Sequence, residues 1–176
     1  MLAAVAVLAS CFLIYDALVF QSRSMQIRQL LVEAHPLERA PPETLRRLFL
    51  IEAGTRLDIR VARSLMLKLE VSPISGGNMG DRLTTALWTS LVRLHLSEDE
   101  KIALIFSLSD LGNRVHGFQA AARSDFGRDL DRLDPREQAL LVVYSQWPSG
   151  YRQPQHEELV LVHRDSLINA LANGTQ

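Results

Sequence analysis

The sequence predicts an all-α fold in which an apolar N-terminal helix precedes a compact helical domain. Hydrophobic residues recur three and four positions apart over most of the chain, as they do along one face of an α-helix. Residues typical of helix starts precede several of these segments. No segment keeps the alternating pattern of a strand, and residues 158–162 (ELVLV) are the one short run that resembles it.

Composition excludes several functional classes. The formal net charge is -1, so no basic field favours a nucleic-acid partner and no acidic block favours a disordered tail. The single cysteine, Cys11, excludes an internal disulfide framework. None of the five histidines has a metal-ligand spacing with other ligands: His35, His95, His116, His156 and His163. We therefore expect one compact domain without nucleic acid, metal or cofactor.

Residues 1–20 predict a transmembrane anchor. This run, MLAAVAVLASCFLIYDALVF, contains one charge, Asp16, and has the length that a helix needs to cross a bilayer. A lipobox ending at Cys11 is the alternative, in which the cysteine would be lipidated after removal of the preceding residues. No Lys or Arg precedes the run and residues 12–20 continue it, which favours the anchor. A buried core helix is the third interpretation.

The charges around this anchor favour a cytoplasmic domain by the positive-inside rule. Five arginines follow the apolar run: Arg23, Arg28, Arg39, Arg46 and Arg47. Only the α-amino group precedes it. Charge alone therefore predicts an orientation that the function inferred below opposes.

Prolines, glycines and capping residues delimit the predicted helices. Pro42 and Glu43 suit the first turn of a helix that Gly54 ends. Ser97 opens a capping-box pattern, and Asp134 opens another with proline at the first helical position. The predicted elements are a short helix within a linker at 21–41, helices at 42–53 and 57–71, a loop at 72–80, and helices beginning at 81, 97, 134 and 157. This pattern corresponds to about seven short helices.

The helix that begins at Asp81 is predicted to bury one stripe of leucines. These residues are spaced three and four apart on one helical face: Leu83, Leu87, Leu91 and Leu94. The helix after it carries apolar residues from Ile102 to Leu108 and is expected to end by Gly112.

The segment 97–151 keeps glycines, an alanine triplet and a Pro-Ser-x-Tyr ending in a specific order. It resembles the second half of the peptidoglycan glycosyltransferase domain, glycosyltransferase family 51, which occurs in penicillin-binding proteins and monofunctional transglycosylases. The positions in register are Gly112, Asn113, Gly117, Ala120, Ala121, Ala122, Phe126, Gly127, Leu133, Glu137, Ala139, Leu140, Leu141, Pro148, Ser149 and Tyr151. Residues 163–174 resemble the closing helix of that family. The resemblance implies a lysozyme-like, mostly helical fold.

The resemblance also implies a reaction in which lipid-linked disaccharide units are joined at a membrane surface. In that family a glutamate acts as base toward a sugar hydroxyl, while a second acidic residue and basic groups, often with a divalent metal, help the lipid diphosphate to leave. Glu52 falls at the position of the base. Ala53 replaces the aspartate that follows it in the family, and the aromatic and histidine of that block are absent.

The other catalytic blocks of the family are reduced in this sequence. Gly76, Gly77 and Asn78 are what remains of a glycine-rich block, and Arg82 is what remains of a basic block. The carboxylates of the third and fourth blocks are replaced by Thr85 and Ala103, and Ser107 falls at the asparagine position of the fourth. The resemblance thus implies Glu52 as the catalytic candidate and Arg82 and Asn78 as substrate-binding candidates.

Three functional hypotheses follow. The first is a membrane-anchored, catalytically inactive relative whose domain, residues 42–176, binds lipid-linked disaccharide or regulates cell-wall synthesis proteins. The second is an active peptidoglycan glycosyltransferase with a minimal site. The third is a helical interaction module unrelated to the cell wall. The resemblance implies a single-pass protein of the bacterial inner membrane whose domain faces the periplasm.

Overall fold

The structure, a computed structural model, describes residues 2–74 and 77–174. Within these ranges the regular elements are helical, apart from an isolated bridge between Asp110 and His116. The predicted all-α fold class is therefore confirmed, and residues 158–162 are helical. The α-helices are α1 (Leu2–Tyr15), α2 (Ser24–Glu33), α3 (Pro36–Arg39), α4 (Glu43–Ala53), α5 (Leu57–Lys68), α6 (Asn78–His95), α7 (Glu98–Leu108), α8 (Phe118–Phe126), α9 (Pro135–Tyr144), α10 (Pro148–Tyr151) and α11 (Glu157–Ala172).

The contacts between helices group the chain into two compact units. The first comprises Met1–Glu33 and Asp58–Ser97, and the second comprises Ala34–Leu57 and Glu98–Gln176. The expected division into an anchor (1–20), a linker (21–41) and a domain (42–176) follows chain order and stays a prediction.

In the first unit, an apolar helix overlaps most of the predicted anchor, residues 1–20, of which Met1 lies outside the described residues. A π-helical turn (Asp16–Phe20) and a 3-10 turn (Gln21–Arg23) join α1 to α2. Among the described residues, one helix, Val5–Glu33, is long and apolar enough to cross a bilayer, with a mean hydropathy of 1.8 over its most apolar window. Only 6% of that window is buried, which agrees with an anchor better than with a core helix.

The π-helical turn is where this helix contacts α6. The indole N–H of Trp88 donates a hydrogen bond to the Tyr15 hydroxyl at 3.2 Å. His95 Nε2 lies 3.0 Å from both carboxylate oxygens of Asp16, and the Phe20 ring stacks on the His95 ring with centroids 5.0 Å apart. The one charge of residues 1–20 is therefore paired within its own unit.

The buried face of α6 differs from the predicted leucine stripe. Leu83 and Leu94 are exposed at 49% and 63%, whereas Thr84 and Trp88 are fully buried. The Thr84 hydroxyl donates to the Gly80 carbonyl at 2.8 Å and accepts from the Ile74 amide at 3.0 Å, so it can be buried without an unpaired polar group. The helix also begins at Asn78, which shortens the predicted loop, and Gly76 lies outside the described residues.

The core of the second unit contains a cluster of three phenylalanines. Phe49 contacts Phe106 and Phe118 edge-on, with centroids 5.0 and 6.3 Å apart, and Phe106 stacks on Phe118 at 4.3 Å. These rings come from α4, α7 and α8 and are fully buried. Aromatic contacts between three helices fix their mutual packing beyond simple apolar burial.

The capping box predicted at the start of α9 is confirmed. The Asp134 carboxylate accepts from the amides of Arg136 and Glu137 at 2.8 and 2.9 Å, and the Glu137 carboxylate accepts from the Asp134 amide at 2.9 Å. These bonds satisfy amides that a helix start otherwise leaves unpaired. The helix ends at Tyr144, before the Trp147-Pro148 pair that was predicted to close it.

Arg152 joins three parts of the second unit. Its guanidinium donates to both carboxylate oxygens of Asp125 at 3.0 and 2.6 Å, its Nε donates to the Leu111 carbonyl, and it lies 4.5 Å over the Tyr144 ring. The side chains of Arg152 and Asp125 are 13% and 15% exposed. Gly112, with φ +82°, makes room for this arginine, because a Cβ there would lie 2.7 Å from Arg152 Cδ.

We expect Arg152→Met to lower the free energy of unfolding by about 3 kcal/mol, since the Asp125 carboxylate would stay largely buried without its partner. Chemical denaturation of the detergent-solubilised chain measures this. Adding Asp125→Asn should recover part of the loss by removing the unpaired charge. If the Arg152→Met variant is as stable as the natural chain, the assigned role of Arg152 is wrong.

Candidate functional site

Glu52 lies on α4, one residue before its C-terminal end. Its side chain is 12% exposed, and Oε2 lies 3.3 Å from Nε2 of His163 on α11. The His163 side chain is 33% exposed, so the pair is reachable from solvent. A carboxylate beside an imidazole can accept or pass on a proton, which is the chemistry that a general base requires. Ala53, next to Glu52, is buried and supplies no second carboxylate.

Asn78 and Arg82 lie one turn apart in the first two turns of α6. Both side chains are exposed, and the spacing of four residues places them on the same helical face. Within the described ranges no carboxylate forms an ion pair with Arg82. A helix N-terminus with a nearby arginine favours an anion electrostatically, and Asn78 and Arg82 are exposed there.

The three sequence-predicted site residues belong to different units. Glu52 lies in the second unit, whereas Asn78 and Arg82 lie in the first. Their assignment to one catalytic and substrate-binding site stays a prediction.

The positions at which the family carries further carboxylates hold small side chains. Ala103 lies on α7 and is 3% exposed. All residues of this helix from Lys101 to Phe106 are buried, so it is enclosed around its whole circumference. Thr85 is half-buried, and the Ser107 hydroxyl donates to the Leu104 carbonyl of its own helix at 3.1 Å.

In the part of the chain that the structure describes, no three side chains of His, Cys, Asp or Glu converge where a metal ion could bind. The expectation that the protein uses no metal stays a prediction.

None of the three candidate residues lines either of two open depressions that the described residues form. One, of about 340 Å³, lies in the first unit between α2 and the end of α5. The other, of about 360 Å³, lies in the second unit and is lined by Arg123, Gly127, Arg128, Asp129 and Arg132. Its cations are largely paired: hydrogen bonds from Arg123 and Gln119 hold the pKa of Asp129 below its usual value, and Arg128 pairs with Glu137.

Glu38 is a buried carboxylate that the sequence analysis did not single out. Only 5% of the residue is exposed, and its oxygens accept hydrogen bonds from the amides of Gln119 and His35 at 3.0 and 3.3 Å. Burial raises the pKa of Glu38, while the backbone amides of Gln119, His35 and Phe118 oppose that rise. Gly117 admits the carboxylate, because a Cβ there would lie 2.7 Å from Oε1.

These contacts make Glu38 a cap for the N-terminus of α8. A perturbed carboxylate often marks a functional site, but here the amides occupy both oxygens. The local signal was the His-Pro-x-Glu sequence at 35–38, which forms its own capping box on α3. The partner at Gln119 is 81 residues away and leaves no mark in the local pattern.

We expect Glu38→Gln to lower the free energy of unfolding by about 1–3 kcal/mol, since an amide cannot accept both backbone bonds. The raised pKa means that the native state binds more protons than the unfolded state above the ordinary value of 4.5. The stability advantage of the natural chain over the variant should therefore be largest at or below that pH and shrink as the pH rises. Urea denaturation of both chains over this range measures the difference, and an advantage that grows with pH would refute the assignment.

Comparisons with known proteins agree with the predicted resemblance. A family model described as Transglycosylase matches residues 49–172. Penicillin-binding protein 1A of Pseudomonas aeruginosa is 26% identical over 120 residues, which are 68% of this chain and 14% of that protein. Biosynthetic peptidoglycan transglycosylase of Xanthomonas campestris pv. campestris is 32% identical over 66 residues, which are 38% of this chain and 27% of that protein. The chain thus spans well under half the length of these relatives.

Proposed function

Because the chain belongs to the transglycosylase family, we propose that it is a membrane-anchored, catalytically inactive relative of peptidoglycan transglycosylases with a binding or regulatory role in cell-wall synthesis. Its ligand or partner would be lipid-linked disaccharide or a cell-wall synthesis protein. The observation that carries this proposal is the enclosure of α7, the helix on which the family resemblance places a catalytic carboxylate.

The buried middle of α7, residues 101–106, cannot present a charged group to a diphosphate ester. The residue at that position, Ala103, is 3% exposed, and its neighbours on both sides in sequence are buried as well. Removing one preorganised charged group typically lowers a rate by about a hundredfold or more. Thr85 occupies a second position at which the resemblance implies a carboxylate. The fold of the family is kept, while the carboxylates that the resemblance implies are replaced at Thr85 and Ala103.

The pairing of Glu52 favours the second candidate function, an active enzyme with a minimal site. Glu52 is reachable from solvent and has His163 at 3.3 Å, so a proton acceptor remains at the position of the base. The third hypothesis, a module unrelated to the cell wall, has little support because the family match covers residues 49–172.

We further propose a single-pass location in the bacterial inner membrane with the domain facing the periplasm. The exposed apolar helix Val5–Glu33 supports a membrane location, and the name of the Xanthomonas relative points to peptidoglycan biosynthesis. Peptidoglycan lies outside the cytoplasmic membrane, so a protein that binds its precursors or strands there faces outward. The arginines after the apolar run oppose this orientation.

The detergent-purified chain should form no sugar polymer from lipid-linked disaccharide, because the carboxylates that assist the reaction in the family are replaced by Thr85 and Ala103. Glu52→Gln should then be indistinguishable from the natural chain. Glu43→Gln, an exposed glutamate on the same helix, is the matched control. Polymer that forms with the natural chain and with Glu43→Gln but disappears with Glu52→Gln would establish the active-enzyme alternative.

Orientation is testable with reporters fused after Gln176. A reporter that is active only outside the cytoplasm should be active, and a cytoplasmic reporter at the same position should be silent. The reverse pattern would place the domain in the cytoplasm and would show that the arginines after the apolar run determine the topology.

A further inference from the structure

One exposed aromatic surface in the second unit is not explained by packing. Among the residues that the structure describes, Trp147 is the only exposed tryptophan, tyrosine or phenylalanine, with 48% of its surface accessible. It is joined by the rings of Tyr151 at 5.6 Å and His156 at 5.2 Å, and Tyr151 lies 6.1 Å from His163. We call these four residues the ring cluster.

The indole of Trp147 is held in place by the backbone beneath it. A Cβ at Gly150 would lie 2.1 Å from the Trp147 ring, so the ring packs directly on this glycine. The Trp147 carbonyl accepts from the amides of Gly150 and Tyr151 at 3.1 and 2.9 Å, which fixes the short helix α10 under the ring. A large apolar ring is therefore kept rigid at the surface, where it loses little conformational entropy on binding.

The ring cluster lies next to a side chain that can form further hydrogen bonds, Glu52. His163 lies beside the Glu52 carboxylate at 3.3 Å, and both are partly exposed. Imidazole and carboxylate can donate to and accept from hydroxyl or amide groups. The cluster contains no arginine or lysine, and the adjacent Arg152 is already committed to Asp125. A flat apolar ring next to imidazole and carboxylate groups, with no free arginine or lysine in the cluster, suits a ligand with an apolar face and many hydroxyls better than a phosphate.

We propose that the ring cluster binds an uncharged glycan. The C–H face of one pyranose ring packs on the Trp147 indole, and the hydroxyl or acetamido groups of an adjoining sugar bond to His163 and Glu52. This inference deepens the proposed function and rests on it, because it names glycan strands as the ligand of the inactive relative. Glu52 then serves as a hydrogen-bond acceptor for sugar.

The two tryptophans make the test specific. Trp88 is fully buried, whereas Trp147 is exposed, so iodide in solution should quench the fluorescence of Trp147 alone. The probe is a soluble β-1,4-linked N-acetylglucosamine tetramer, added to the full chain in detergent. We expect the tetramer to reduce iodide quenching in a saturable manner, and unchanged quenching at millimolar tetramer would overturn the proposal.

Variants separate ring stacking from general apolar contact. Measured by calorimetry, Trp147→Phe should retain most of the affinity because it keeps an aromatic face, whereas Trp147→Leu should weaken binding roughly tenfold. Leu94→Ala, at an exposed apolar residue of the first unit, is the control and should bind like the natural chain. Equal affinity of Trp147→Leu and the natural chain would overturn the proposal even if the tetramer binds elsewhere.

The tetramer carries neither lipid nor diphosphate, so its binding is independent of polymerising activity. If the tetramer protects Trp147 and the chain also forms polymer, the proposal that the chain is inactive is wrong and the proposed glycan site is supported. If lipid-linked disaccharide protects Trp147 and the tetramer does not, the proposed glycan site is wrong and the proposal that the chain is an inactive relative is unaffected.

Discussion

The second unit depends on the contacts of Arg152. A guanidinium that binds a carboxylate through two parallel bonds, a backbone carbonyl and an aromatic face uses most of its donors and its planar surface at once. Desolvation by burial raises the pKa of the neighbouring Tyr144 hydroxyl, whose residue is half-buried beside Arg152. Gly112 is required for the same contact, because any side chain there would displace the arginine. A family-matched glycine thus has a packing role and needs no catalytic one.

In α7, too, a position that the family resemblance links to catalysis has a packing role in this structure. Its six consecutive buried residues include Ala103, and the phenylalanine cluster of the core includes Phe106 from the same helix. A carboxylate at Ala103 would need water or a partner, because a buried unpaired charge is strongly disfavoured. The apolar surroundings therefore permit alanine and oppose a return to glutamate. Family membership and an alanine at this position are compatible, since the family match rests on packing positions such as Gly112.

Local signals predicted the fold better than they predicted the site. Helix starts at Glu98, Pro135 and Glu157 follow from capping residues and hydrophobic periodicity within a few positions of each start. The predicted buried face of α6 was wrong. Thr84, which has its own hydrogen bonds, and Trp88 are buried, whereas two of the leucines that were expected to be buried are exposed. The cap formed by Glu38 depends on Gln119, a partner 81 residues away in sequence. The exposed surface around Trp147 depends on how its ring packs on Gly150. Hydrophobic periodicity predicts neither contact.

The junction between the apolar helix and α6 bears on how the first unit would meet a membrane. An aspartate within an apolar run is costly in lipid, and His95 at the C-terminal end of α6 lies where a helix dipole favours positive charge. Asp16 and Phe20, four residues apart at the two ends of the π-helical turn, both contact α6. Leu18 within this turn is 70% exposed whereas Phe20 is 3% exposed, so exposed and buried apolar side chains meet within it. With the apolar helix in a bilayer, the contacts of Asp16 and Phe20 would place the C-terminal end of α6 close to the membrane surface.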